Sequence, residues 1–124
     1  MILYSDVNRN LTSQYEDVKI ETNVKAIINS IENILTVVKG ELPGRPEFGS
    51  DIYKFVFDLN DDLSLVGIEE STLGALERWE PRINVIDVDV NSFPNQNEVV
   101  ITIVFNLKVN NIQYTTDIRI VNDQ

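Results

Sequence analysis

The spacing of apolar residues changes character along this chain. Val24, Ile27, Ile28, Ile31, Ile34, Leu35 and Val38 follow the i, i+3, i+4, i+7 rhythm of one helix face. The rhythm predicts a helix over residues 22–39, capped by Thr22 or Asn23 and closed by Gly40 at C′. Its apolar stripe is wide, which suits a helix lying on a sheet. Residues 40–50 carry Pro43, Pro46, Gly40, Gly44 and Gly49, so a loop with a specified path is expected, with Phe48 plugging into the core. Ser50 is predicted to cap a short helix, with Asp51 at its positive end and Ile52, Phe55 and Val56 or Leu59 inward. Asn60-Asp61-Asp62 breaks that helix. A further helix follows over roughly residues 64–80, with Leu65, Ile68, Leu73, Leu76 and Trp79 inward and Glu69, Glu70 and Glu77 in water. Pro81 stops it by forcing Glu80 out of the helical region.

The last third has period two. Ile86, Val88 and Val90 alternate with Asp87, Asp89 and Asn91. Val99, Ile101, Ile103, Phe105, Leu107 and Val109 alternate strictly, as do Ile112, Tyr114, Thr116, Ile118 and Ile120. Phe93-Pro94-Asn95-Gln96-Asn97 makes a loose turn, and Asn110-Asn111 a two-residue hairpin turn, since Asn tolerates positive φ. Residues 1–20 are weakly periodic and read as an extended arm that Tyr4, Val7, Leu11, Tyr15 and Val18 could pin to the body. The expected architecture is α+β: N-terminal helices packed on a C-terminal three-stranded antiparallel meander, in one domain over residues 1–124.

Composition narrows the chemistry. The 124 residues are 43% hydrophobic and 24% charged, which is globular, and no run approaches the ~20 apolar residues of a membrane span. The N-terminus shows no signal-peptide pattern. Without Cys there is no thiolate chemistry, and without His there is no imidazole base or ligand. Net charge is −10, of which −7 falls in residues 41–80. Nucleic acid and anionic membrane are therefore excluded as ligands, and that third either keeps the chain soluble or faces a basic partner.

No catalytic residue, metal site or cofactor is assigned. Asp61-Asp62 lacks EF-hand spacing and reads as a helix break. Glu80 beside Trp79 is the one acid in an aromatic setting, too little for a two-carboxylate glycosidase. Arg78-Trp79-Glu80-Pro81-Arg82 asks for more: two guanidinium groups, an indole and a carboxylate gather at a helix stop, and Arg and Trp are enriched at interface hot spots. Trp79 fills the core or faces a partner. Arg78 or Arg82 ties the helix end to Glu47 or Asp51, and for Arg82 a partner contact is preferred. A meander also leaves open edges that invite another strand, unless Asp117 and Arg119 blunt the last one.

The loop Gly40-Glu41-Leu42-Pro43-Gly44-Arg45-Pro46-Glu47-Phe48-Gly49-Ser50-Asp51, followed by Trp79-Glu80-Pro81-Arg82-Ile83, resembles the baseplate wedge family of contractile phage tails. These are the sheath initiators long labelled lysozyme-like, with relatives in type VI secretion baseplates. Leu3-Tyr4-Ser5-Asp6-Val7 is similar to the family's opening, while Leu42 stands where the loop often has Arg. The resemblance implies a structural protein of the virion tail baseplate, assembled in the host cytoplasm. It implies a sixfold array around the tail tube, docking on the wedge core-bundle proteins, and a strand offered to the tail sheath protein. Glu80, Pro81 and Arg82, with Arg78, would then dock on the wedge. Arg45, Pro46, Glu47, Phe48 and Gly49 form the loop motif. The closing strands, with Val109, Ile112, Tyr114, Thr116, Ile118 and Ile120, would receive sheath segments. The alternatives are a baseplate-associated peptidoglycan-cleaving enzyme and a soluble adaptor that binds a basic partner through residues 41–80.

Overall fold

A computed structural model describes the backbone of residues 2–9, 18–56 and 61–121 and the side chains of 23–56 and 61–121. The elements run β1 (Ile2–Arg9), α1 (Val18–Thr36), α2 (Asp62–Trp79), β2 (Ile83–Phe93), β3 (Glu98–Leu107) and β4 (Gln113–Val121). The strands form one antiparallel sheet in the order β1-β4-β3-β2. Alternation on β3 drives Val99, Ile101, Ile103, Phe105 and Leu107 into a core shared with both helices, while the residues between them are only half-buried. The architecture is α+β, and the predicted meander is present as β2-β3-β4.

The first strand corrects the reading of the N-terminus. Residues 2–9 pair with β4 in full register, from Ile2 opposite Val121 to Arg9 opposite Tyr114, so the meander has a fourth strand. Nothing local announces this, because the partner is more than a hundred residues away in sequence. The predicted anchors Leu11 and Tyr15, and the side chains of Tyr4, Val7 and Val18, lie outside the described residues. A consequence is that β4 has neighbours on both sides and offers no open edge.

Helix α1 begins and ends earlier than predicted. Its stripe is as expected except at Val38, which lies beyond the helix end and is half-buried: Val24, Ile27, Ile28, Ile31, Ile34 and Leu35 are all buried. Thr22 and Asn23 lie inside the helix and not at its start. The end falls at Thr36, before Gly40, because Ser50 supplies the terminus with other partners. The Ser50 hydroxyl donates to the Leu35 carbonyl (2.9 Å) and its amide to the Val37 carbonyl (3.0 Å). Ser50 therefore closes α1 and does not cap the next element, which is one 3-10 turn at Ile52–Lys54. Asp51 pairs with Lys39 (2.9 Å) and Lys54 (3.5 Å) and makes no side-chain cap bond. Ile52 and Val56 are buried and Phe55 is half-buried, while Leu59 lies outside the described residues.

Asp61 starts a helix where the sequence suggested only a break. Its carboxylate accepts from the Leu63 amide (3.0 Å), the ordinary N-cap bond of α2. The buried face is Ile68, Thr72, Ala75 and Leu76. Leu73 is not part of it: five residues beyond Ile68 it lies about 140° around the helix and is exposed. Ile86 is also displaced. A bulge between Val85 and Asp87 leaves it without a cross-strand partner and half exposed, while Ile83 and Val88 stay inward. The β3–β4 connection is longer than two residues. The Leu107 amide donates to Ile112 (3.1 Å), and of the two Asn only Asn111 takes positive φ (57°), so the mirror-image two-residue turn does not form.

Candidate docking site

The two separated motifs meet at the C-terminal end of α2. Helix α2 ends at Trp79, because Pro81 follows and Glu80 leaves helical conformation. The Trp79 ring meets Phe48 edge-on, with centroids 5.1 Å apart at 66°. Phe48 is buried, as expected of a plug, and Trp79 is half-buried. The Arg45 guanidinium lies 4.6 Å from the Phe48 centroid and 5.4 Å from that of Trp79, and Arg78 lies 5.0 Å from Trp79. Arg78 also pairs with Glu47. Of the ties the sequence left open between Arg78 or Arg82 and Glu47 or Asp51, this is the one present among the described residues. Pro46 and Pro81 are exposed.

Gly49 lets the loop reach this position. Its φ is +117°, and a Cβ there would stand 2.2 Å from the Val37 carbonyl oxygen. The backbone thus passes directly over the exit of α1, and Ser50 bridges to Val38 in parallel fashion.

Glu80 is only 2% exposed, and Arg82 grips it with two bonds, Nε to Oε1 at 2.6 Å and a terminal nitrogen to Oε2 at 3.0 Å. Burial pushes the Glu80 carboxyl up. Hydrogen bonds from Arg82 and from Ser30 of α1, with the guanidinium charge, outweigh burial and hold it below the ordinary glutamate value. Arg82 keeps about half its side chain in solvent, and its carbonyl accepts from the Lys108 amide (3.0 Å). The motif is thereby tied to α1 and to the β3–β4 loop. Ser30 was missed from sequence, since it is a neutral residue on a helix flank with no spacing relation to Glu80.

Two clefts flank the motif. One of about 500 Å³ is bounded by Ile27, Arg82, Leu107, Lys108 and Val109. The other, about 350 Å³, is bounded by Lys39, Asp51, Glu70, Gly74, Arg78 and Trp79. The arrangement presents guanidinium groups and a proline on a rigid aromatic base, a surface suited to carboxylates and apolar side chains of another protein.

The strand residues expected to face a partner are placed otherwise. Tyr114, Thr116, Ile118 and Ile120 are fully buried under the helices, with Tyr114 stacked on Phe105 at 6.0 Å. Ile112 is half-buried, and Val109 stands off the sheet on the loop, 86% exposed. Asp117 accepts from Thr102 (2.7 Å) and Arg119 pairs with Glu98, so both tie β4 to β3 and guard no edge.

Comparison with known proteins identifies the family. The family model described as baseplate wedge protein gp25 matches residues 21–112, a span that holds both motifs. The baseplate wedge protein gp25 of Enterobacteria phage T4 is 33% identical over 89 residues, covering 71% of this chain and 67% of that protein. A crystal structure from Geobacter sulfurreducens, described as a tail lysozyme, matches with a TM-score of 0.74 and 27% identity, over 82% of this chain and 93% of that one. The chain is thus one of the phage tail baseplate proteins. It belongs to the gp25 baseplate wedge family.

Proposed function

We propose that this protein is a non-catalytic component of the tail baseplate, docking on the wedge core bundle through Glu80, Pro81 and Arg82 and giving a sheet edge to the first sheath subunits. The observation that carries the reading is the convergence of the Arg45–Gly49 loop on Trp79 and the adjoining Arg82 clamp. Glu80 uses two of the five guanidinium donors of Arg82, and the exposed remainder can take a partner carboxylate. Sixfold repetition makes modest single contacts sufficient. Strand addition falls to an outer strand, since β4 is interior. Edge strand β2 is guarded by its bulge and by exposed Asp87 and Asp89, which leaves β1. The tail tube is a further neighbour in this reading.

Peptidoglycan cleavage is the weaker reading. A glycosidase acid needs a raised pKa, and Glu80, the acid beside Trp79, is held low by Arg82.

The test is incorporation into wedges. Arg82→Ala alone strands the buried Glu80, so it is combined with Glu80→Gln. The folded double variant should bind wedge proteins about 2–5 kcal/mol less tightly per site. Normal incorporation would remove the docking reading. Clearing of a cell-wall suspension by the wild-type chain, lost on changing one carboxylate, would establish the enzymatic one.

A further inference from the structure

The outer face of α2 carries a feature that neither the fold nor the Glu80–Arg82 motif uses. Leu63, Val66, Glu70, Leu73 and Glu77 are spaced alternately three and four residues apart, the spacing of a seam along which a second helix packs. The core of the protein lies on the opposite side, with Ile68, Thr72, Ala75 and Leu76. Leu63 is 77% exposed, Val66 47% and Leu73 37%, so half of the six large exposed hydrophobics among the described residues lie on this one face. Gly74 sits beside Leu73 in a helix interior, where glycine weakens the helix, and a Cβ there would meet nothing within 4 Å. Open space at that point allows close approach of another backbone.

The charges around the seam specify what approaches. Asp62, Glu69, Glu70 and Glu77 are all exposed, and the ion pairs among the described residues use none of them. Arg78, the one base on this helix, is taken by Glu47. A second copy of the chain would set these carboxylates against their own kind, which disfavours a homodimer through this face. We infer that the outer face of α2 is a docking surface for a helix of a different protein, one with an apolar stripe at the same spacing flanked by Lys and Arg. The apolar residues supply burial, and the carboxylates select the partner and its register.

The surface borders the docking motif through the cleft that Glu70 and Gly74 share with Arg78 and Trp79, but it uses neither Glu80 nor Arg82, and its test needs only the 124-residue chain. The probe is a synthetic 18-residue amphipathic helical peptide with a leucine seam and lysine flanks, followed by amide NMR shifts. The control is a peptide of identical composition with its leucines dispersed. Binding of the ordered peptide should shift amides of residues 62–77, and the dispersed peptide should bind about tenfold more weakly, since buried leucines distinguish the two. Leu73→Ser and Glu70→Lys should each weaken the ordered peptide by a similar factor. Both positions are exposed, and an unchanged circular dichroism spectrum checks the fold. Equal binding of the two peptides, indifference to Leu73→Ser, or shifts centred elsewhere would each overturn the inference. None of these outcomes bears on wedge docking through Arg82.

Discussion

At Gly49 and Glu80 single atoms decide whether the two motifs can meet. Any side chain at Gly49 collides with the Val37 carbonyl while holding an unfavourable φ. Gly49→Ala should cost about 2–4 kcal/mol, read as a lower urea midpoint with an unchanged slope. Glu80 gives a pH signature. Its pKa is depressed on folding, so its contribution is complete above the unfolded value near 4.5 and is lost as pH falls through the lower folded value. Glu80→Gln should remove about 1–2 kcal/mol at pH 7, a modest figure because Arg82 is half in solvent. The wild type and variant should then converge in stability as pH falls from the unfolded value through the lower folded one, measured by denaturation across pH. Sequence put Glu80 and Arg82 in one motif facing a partner. It could not show that they hold each other, because their neighbours Ser30 and Lys108 come from other elements.

The elements were legible where hydrophobic period was strong and ran locally. The stripe of α1 and the alternation of β3 needed nothing else. Boundaries were less so, because they follow from distant partners: Ser50 ends α1, and Asp61 turns an expected break into a cap. Ile86 faced the wrong way because a bulge resets the side-chain phase, and alternation cannot show an inserted residue. Strand β1 matters most for the proposed strand addition, since it converts the last strand from edge to interior. Amides of successive residues in a strand point to opposite neighbours, so one of Ser5 and Asp6 faces β4 and the other faces outward. Proline at the outward position should leave the melting curve nearly unchanged while blocking sheath growth on wedges that still form. Electron microscopy of the assembled tails reads the outcome, and sheath that starts at its usual level would exclude strand addition at β1.

Across the described residues the two helices cover one face of a four-stranded sheet, and the proposed docking residues gather where α2 meets β2 and the long loop. By itself the sequence determined the α+β class, the main helix, the meander and both motifs, since each depends on residue type and spacing over short range. The family resemblance rested on those motifs, and the match over residues 21–112 agrees with it. Only the tertiary structure decided that the motifs share one site, that Glu80 is buried against Arg82, that β4 is interior, and that Leu63, Val66 and Leu73 lie outside the core. Each of those depends on contacts between elements far apart in the chain, and local propensity carries no record of which distant surface will cover a residue.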